Sequence, residues 1–394
     1  MSVWKNWEAE KVASYLKWVP PTKGPIGTIG HYEDVNIETS HGPALAAYKD
    51  KLYMAWKGKD NENIYYSYYP YYNSSIVLGH KTVLPGWETP KQVPNGLTSN
   101  GPALAAYDNK LYMVWKALGN DEQIWYSVFD GTKWSEPKRP EGGAWSARRP
   151  ALAVYKNKLY MAWRGMGDDF HLWFTKFDNI NKKWLPQKEV FPKKNYGGSH
   201  GPALAADGYR LTMVWKGNTE IWFSEFDGTY EGAEYEWGTS DGQKNVFQWL
   251  TYYHSGDARG DTCDKIPKES SLGPALAYYD NVPLGGRLMN YHYTDTKVMV
   301  GKGKGNDSKI WFSEYLGEPR PPSPLPPSSY PPIYIPYEHG WSKQKPAIGE
   351  TSDTPALASF DGKLFMAWKG KDSDTKIRYS YCGIEPYYVS PIVK

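Results

Sequence analysis

The segment Gly42-Pro-Ala-Leu-Ala-Ala-Tyr-Lys-Asp-Lys-Leu-Tyr-Met-Ala-Trp-Lys-Gly58 recurs along the chain, and recurrence on this scale restricts the fold to repeat architectures. Further copies are Gly101-Pro-Ala-Leu-Ala-Ala-Tyr with Leu111-Tyr-Met-Val-Trp-Lys116, Arg149-Pro-Ala-Leu-Ala-Val-Tyr with Leu159-Tyr-Met-Ala-Trp-Arg164, and Gly201-Pro-Ala-Leu-Ala-Ala with Leu211-Thr-Met-Val-Trp-Lys216. Gly273-Pro-Ala-Leu-Ala-Tyr-Tyr with Val298-Met-Val-Gly-Lys302, and Thr354-Pro-Ala-Leu-Ala-Ser-Phe with Leu364-Phe-Met-Ala-Trp-Lys369, complete a set of six.

The repeated prolines stand at 43, 102, 150, 202, 274 and 355, so the units are 59, 48, 52, 72 and 81 residues apart. That is too long for leucine-rich or ankyrin units and fits four-stranded propeller blades. Within a unit, Ala103 to Tyr107 reads as a short strand of small residues, suited to a crowded centre. Asp108-Asn-Lys110 turns the chain into Leu111 to Trp115, apolar on both faces as a strand between two neighbouring blades must be. Ile124 to Phe129 is a third, aromatic strand, and the hairpin Asp130-Gly131 leads to an outer strand starting at Trp134-Ser-Glu-Pro, where an edge tolerates proline.

The sixth unit ends at Tyr381-Cys382 without a Trp-x-x-Pro segment, while Trp7-Glu-Ala-Glu-Lys-Val12 matches Trp87-Glu-Thr-Pro-Lys-Gln-Val93 in type and spacing. The expected fold is therefore all-β: a six-bladed β-propeller of four-stranded antiparallel blades, closed by the N-terminal strand completing the last blade. Residues 1–394 read as a single domain because the units run from end to end. Four segments break the pattern: Pro20 to Ser40, Thr229 to Leu272, Val282 to Thr296, and the proline tract Pro319 to Pro336, read as an extended surface spacer.

A net charge of +3 without dense Lys/Arg runs argues against nucleic acid as a partner. No apolar run is long enough to span a bilayer and the first residues lack a secretory h-region, so the expectation is a soluble protein, cytoplasmic or released by a non-classical route, without membrane insertion. Cys263 and Cys382 fall in non-adjacent units and are expected as free thiols. The 33 Tyr and 19 Trp exceed what a core needs, which allows either blade packing or exposed stacking platforms.

In an up-and-down blade the turn leading into strand one and the loop joining strands two and three lie on the same face. The first set holds Thr39-Ser-His-Gly42, Thr98-Ser-Asn-Gly101, Gly198-Ser-His-Gly201 and Thr351-Ser-Asp-Thr354; the second holds Trp56-Lys-Gly-Lys-Asp60 and its equivalents. With Trp125, Trp173, Trp222 and Trp311 beginning the third strands, one rim collects indoles, cations, carboxylates and hydroxyls, a combination suited to a sugar. The same Trp-Lys-Gly can equally pack at a strand end and pair with the hairpin Asp.

His41 and His200 precede Gly-Pro where other units carry Asn100, Arg149 or Leu272, which argues against a metal, and Gly119-Asn-Asp121 lacks the spacing of a calcium loop. No nucleophile elbow, zinc motif, P-loop or dinucleotide fingerprint is present, so no catalytic residue, metal or cofactor is assigned. Carboxylates for glycoside cleavage occur only in insertions: Glu33, Asp34 and Glu38, then Glu231, Glu234, Glu236, Asp257 and Asp261, with His254 beside them.

Ser127-Val-Phe-Asp-Gly-Thr-Lys-Trp134 resembles the Asp-box of sialidase-like propellers, Ser-x-Asp-x-Gly-x-x-Trp, with its Asp shifted next to the Gly. The whole unit, through Ile-Trp-Tyr-Ser and Phe-Asp-Gly-x-x-Trp, resembles the repeats of bacterial and fungal propeller lectins, including the fucose-binding Photorhabdus type. That resemblance implies glycan partners and sites between blades formed by Trp56, Lys57, Trp115, Lys116, Trp125, Trp163, Arg164, Trp173, Trp215, Lys216, Trp222, Trp368 and Lys369. Gly301 in place of Trp implies an altered or absent fifth site, and no arginine triad of a sialidase is identified. The expectation is a multivalent lectin acting without chemistry. The alternatives are a glycan-cleaving hydrolase or lyase whose site is built by the insertions, and a protein-docking or toxin-targeting propeller.

Overall fold

Four of the units begin with two strands joined by two residues of positive φ, Lys49-Asp50, Asp108-Asn109, Lys156-Asn157 and Asp361-Gly362. A hairpin of this kind twists in step with its strands, which is why Asp, Asn and Gly recur there. The computed structural model describes residues 37–71, 86–190, 197–208, 210–226, 264–279, 296–315, 341 and 343–382. They form six antiparallel sheets, contain no helix, and so include none long and apolar enough to cross a membrane.

The first sheet is β1 (Ala44–Tyr48), β2 (Lys51–Lys57), β3 (Asn63–Pro70) and β4 (Lys91–Leu97), in that order. The second has β5 (Ala103–Tyr107), β6 (Lys110–Lys116) and β7 (Ile124–Phe129); the third has β8 (Ala151–Tyr155), β9 (Lys158–Arg164) and β10 (Leu172–Asp178), edged by β11 (Lys183–Trp184) and β12 (Lys188–Glu189). The fourth is β13 (Ala203–Ala206), β14 (Leu211–Lys216), β15 (Glu220–Phe226) and β16 (Asp264–Glu269), and the fifth β17 (Ala275–Tyr279), β18 (Thr296–Lys302), β19 (Lys309–Tyr315) and β20 (Lys345–Glu350). The sixth has β21 (Ala356–Phe360), β22 (Lys363–Lys369) and β23 (Ile377–Cys382).

The inner strands touch in cyclic order: β1 meets β5, β5 meets β8, and so on through β13 and β17 to β21, which returns to β1. Consequently there is no single core. Six apolar clusters lie one between each pair of consecutive sheets, and every second strand is buried on both faces. Burying a Trp of about 150–250 Å² in such a cluster is worth roughly 4–6 kcal/mol at 25 cal/mol per Å², an upper bound because the unfolded chain hides part of that surface.

Two expectations change. A full fourth strand forms in the first, fourth and fifth sheets, but Trp134-Ser-Glu-Pro gives only the isolated bridges Phe129↔Trp134, Tyr126↔Lys138 and Gln123↔Trp145. Pro137 and Pro140 withhold N–H groups there, and Gly142 and Gly143 take positive φ, so the ladder cannot continue. On the sixth sheet, Ile37 to Thr39 line the outer side: Glu38 bridges Lys376, Ile377 N–H donates to Ile37 O at 3.0 Å and Thr39 N–H donates to Thr375 O at 2.8 Å. The expected closing strand Trp7 to Val12 lies outside the described residues, as do Cys263, the proline tract and the insertion residues from Glu231 to Asp261.

The boundary between the fourth and fifth sheets is built differently from the other five. Lys297 stands where Leu111 stands in the second unit, Gly301 replaces the Trp, and Thr212 replaces Tyr112. Glu225, 4% exposed at its side chain, pairs with Lys297 and accepts from Arg210 Nη1 at 2.5 Å and from Thr212 Oγ1 at 3.2 Å. A cluster of buried charges and hydroxyls thus occupies the place of an indole and a phenol ring.

Candidate functional site

A hydroxyl begins five of the six lead-in turns and shapes them. Thr39, Thr98, Ser146, Ser270 and Thr351 accept the backbone N–H two residues on, at 3.1–3.2 Å. Four of the same hydroxyls reach the carbonyl at the end of the second strand, at Lys57, Lys116, Arg164 and Lys302, over 2.7–2.9 Å. The turn fixes the residue two places on, and that residue differs from unit to unit: His41, Asn100, Arg148, Leu272 and Asp353, with His200 in the corresponding place after Gly198. These six line one cavity of about 250 Å³ at the convergence of the inner strands.

Glycine lets those strands converge. A Cβ on Gly42 would strike Thr354 O, one on Gly201 would strike Arg149 O, and one on Gly273 would sit 2.8 Å from Gly201 O. Arg149 occupies the equivalent position in the third unit and turns its guanidinium to the floor of the cavity, donating from Nη2 to Pro43 O at 2.6 Å and from Nη1 to Gly42 O at 3.4 Å. Burial lowers its pKa to about 10. Two of its five N–H groups are thereby used. Asp353 accepts from Gly42 N–H at 2.9 Å and from Thr354 N–H at 2.6 Å, one bond to each oxygen. Arg148 is exposed and its guanidinium makes no hydrogen bond among the described residues.

Each histidine meets the serine before it through Nδ1, and for His200 the contacts of that serine select one tautomer. Ser199 Oγ donates its single proton to Gly217 O at 2.5 Å and receives Lys216 Nζ at 3.2 Å, so its remaining contact, His200 Nδ1 at 3.1 Å, must be an N–H donor. Ser40 Oγ lies 3.1 Å from both Gly58 O and His41 Nδ1 and receives no lysine, so its contacts do not select a tautomer for His41. In the neutral His200 ring Nε2 then carries a lone pair, and neither histidine's Nε2 has a hydrogen-bond partner among the described residues. Burial pushes His200 down to about 4, with Lys216 and Arg148 adding to the effect. Burial also lowers His41, against the opposing pull of Asp353.

The thirteen residues expected to form sites between blades lie elsewhere. Trp56, Trp115, Trp163, Trp215 and Trp368 are at most 2% exposed, each packed against the preceding sheet, and present no face for a sugar to stack on. Lys57, Lys116, Arg164, Lys216 and Lys369 are buried and bind the carbonyls of the loop that follows: Lys116 Nζ reaches Gly119 O at 2.8 Å and Asp121 O at 3.1 Å. Lys369 does the same with Asp372 O and Asp374 O, and Arg164 with Gly167 O, while its Nε donates to Gly198 O in the lead-in turn of the fourth unit. Trp125, Trp173 and Trp222 are half-buried; Trp173 Nε1 donates to the hairpin Asp169 at 2.8 Å, as Trp311 does to Asp307 at 2.7 Å, and Arg139 lies over Trp125. In the Asp-box-like hairpin, Asp130 accepts from Thr132 and Lys133 N–H while Ser127 and Trp134 are buried, so it pins a turn.

No protein-family profile and no curated protein matches the sequence. Solved structures do. An α-L-arabinanase of Penicillium chrysogenum, complexed with arabinobiose, superposes with a TM-score of 0.54 at 13% identity over 94% of this chain and 98% of its own. A GH93 α-L-arabinofuranosidase of Fusarium graminearum, also with arabinobiose, gives 0.53 at 14% over 93% and 98%. The Aleuria aurantia lectin, described as a six-bladed β-propeller with a fucose recognition mode, gives 0.51 at 9% over 89% and 93%. At such identities the likeness establishes the β-propeller fold alone. The lectin expectation is nonetheless corrected: glycoside hydrolases superpose over a larger share of the chain and with higher scores than the lectin, and five of the eight indoles meant to stack on sugar are sealed between sheets.

Sequence reasoning counted His41, His200 and Asp353 among the polar residues of the rim and weighed the histidines as metal ligands, but did not bring them together with Arg148 and Arg149 at the axis. Their signal was a position that varies inside an otherwise constant motif. Among the described residues no group of three or more His, Cys, Asp or Glu is arranged to hold a metal ion.

Proposed function

We propose that this protein cleaves a glycan in the axial cavity. The carrying observation is that one repeated turn presents six positions to one cavity and fills them with five residue types, two of them histidines with an available Nε2. Superposition on carbohydrate-cleaving propellers supports the substrate class. In this reading the six sheets are the six blades of one domain, closed where residues 37–39 meet residues 375–377, and the buried Trp and Lys/Arg residues form the frame that holds the cavity's shape.

The cavity of about 250 Å³ falls below the 300–1,000 Å³ of drug-sized sites, which suits about one sugar ring with the rest of the chain outside. The test is product release from a panel of plant and microbial polysaccharides. Oligosaccharide release from at least one of them is expected, lost in His200→Asn while the melting temperature stays put. Asn100 already occupies the equivalent turn in the second unit, so that substitution is one the scaffold accommodates. No release from any polysaccharide by folded protein overturns the proposal.

A further inference from the structure

Hydrolysis of a glycosidic bond uses two carboxyl groups about 5–9.5 Å apart. Among the described residues lining the cavity there is one, Asp353, and each of its oxygens already accepts a backbone N–H. What the cavity is lined with instead is two arginines and two histidines. With neutral histidines, Arg148 and Arg149 against Asp353 leave one net positive charge, the complement of a single carboxylate.

We infer that the substrate is an acidic glycan and that its uronate residue is cleaved by β-elimination, with Arg148 and the uncommitted N–H groups of Arg149 binding the carboxylate, His200 acting as base and His41 as acid. This rests on the reading of the axial cavity as a glycan-cleaving site. Guanidinium pairing with the carboxylate disperses the negative charge that builds when the adjacent C5–H is broken, and makes that hydrogen removable. His200 Nε2 takes the proton, the electron pair becomes the C4=C5 double bond, and the C4–O bond breaks. The departing oxygen takes a proton from His41, which enters the step as the charged ring; burial works against that form and the neighbouring Asp353 favours it. Exchange with solvent returns the proton to His41 and removes it from His200. Neither water nor an oxidant is consumed.

The roles differ because the surroundings differ. Burial, and then the cations Lys216, Arg148 and Arg164 against the single carboxylate Asp353, keep His200 unprotonated and able to accept; burial lowers His41 as well, but its strongest charged neighbour is Asp353, with Lys57, Arg149 and Glu62 beyond. Sorting two titratable groups by environment in this way is how acid and base are told apart.

The experiment uses the full chain with polygalacturonate, alginate and hyaluronan as acidic glycans and arabinan as the neutral one. Expected is a product with the ultraviolet absorbance of an unsaturated uronate, from acidic glycans only. His200→Asn should lower the rate by about 10²–10⁴-fold. Arg148→Leu, which copies Leu272 of the fifth unit, should raise KM for the acidic substrate at unchanged melting temperature. New reducing ends without the chromophore, or cleavage of arabinan, overturn the elimination while leaving glycan cleavage standing. Silence on every substrate removes both. A chromophore formed at the wild-type rate by His200→Asn overturns the assignment of the base.

Discussion

The axial ring and the ends of the second strands are both sixfold sets of polar and aromatic residues, and both lie toward the same face. At the strand ends the chemistry is constant: an indole in five units, a cation in six, each sealed or tied to carbonyls of its own loop. At the axis the scaffold is constant and the side chain changes, from His41 to Asn100, Arg148, His200, Leu272 and Asp353. Identity across units reflects a packing problem solved the same way each time, whereas difference on an identical turn leaves a cavity with distinct walls. The boundary of the fourth and fifth sheets adds a third case, since Glu225, Lys297 and Gly301 depart from the pattern at positions buried between sheets and so reshape an interface.

The strongest way to break this contrast is Trp163→Ala. Trp163 is fully buried in the cluster between the second and third sheets, and its removal should cost about 3–5 kcal/mol, read as a lowered denaturation midpoint. An unchanged midpoint would return the indole to the ligand sites. Glu225→Gln should cost about 3 kcal/mol because Lys297 is left buried without its partner, and the double variant Glu225→Leu with Lys297→Met should recover most of the loss. If the double variant is no better than the single one, that boundary is not held by its charges.

Lys116→Met should destabilise by about 1–3 kcal/mol, since three acceptors, Gly119 O, Asp121 O and Ser99 Oγ, lose a charged donor. Glycan turnover should persist in the folded fraction, measured by product release normalised to native protein. The smallest effect is on pH dependence. His200 titrates near 4 in the folded chain and near 6.5 when unfolded, so between these values the unfolded chain binds the proton more readily. Stability from this site is complete above pH 6.5 and falls as the pH drops toward 4. In His200→Asn the slope of stability against pH in that window should be smaller than in the wild type, and an equal slope would show that His200 contributes none of it.

The inner three strands of the second unit were legible to within a residue, because Ala-Leu-Ala and Leu-Tyr-Met-Val-Trp record burial on both faces. Outer strands were not. They are half-exposed and rich in Pro and Gly, and whether Lys91–Leu97 pairs as a strand while Ser135 to Trp145 only bridges depends on where N–H groups are missing. Repetition pointed to the rim, and burial between blades, which no linear pattern records, decides what Trp115 and Lys116 do there. The axial group escaped because His41, Arg148 and Asp353 are more than a hundred residues apart in the chain and stand at a position of the repeated turn where the residue type changes from unit to unit.

The pairing of residues 37–39 with residues 375–377 bears on how the chain reaches this state. Thr375 Oγ1 meets Glu38 Oε1 across 337 residues, and the cluster that joins the sixth sheet to the first, with Trp56, Phe365 and Tyr379, depends on the same meeting. During synthesis the first sheets emerge with one apolar flank uncovered and keep it so until residue 377 is made. Loop closure over such a length costs only a few kcal/mol more than over a short one, so the native pairing is affordable, but contacts of this separation form slowly. The interval between making the first sheet and covering it is when this protein is most exposed to aggregation and most dependent on chaperones.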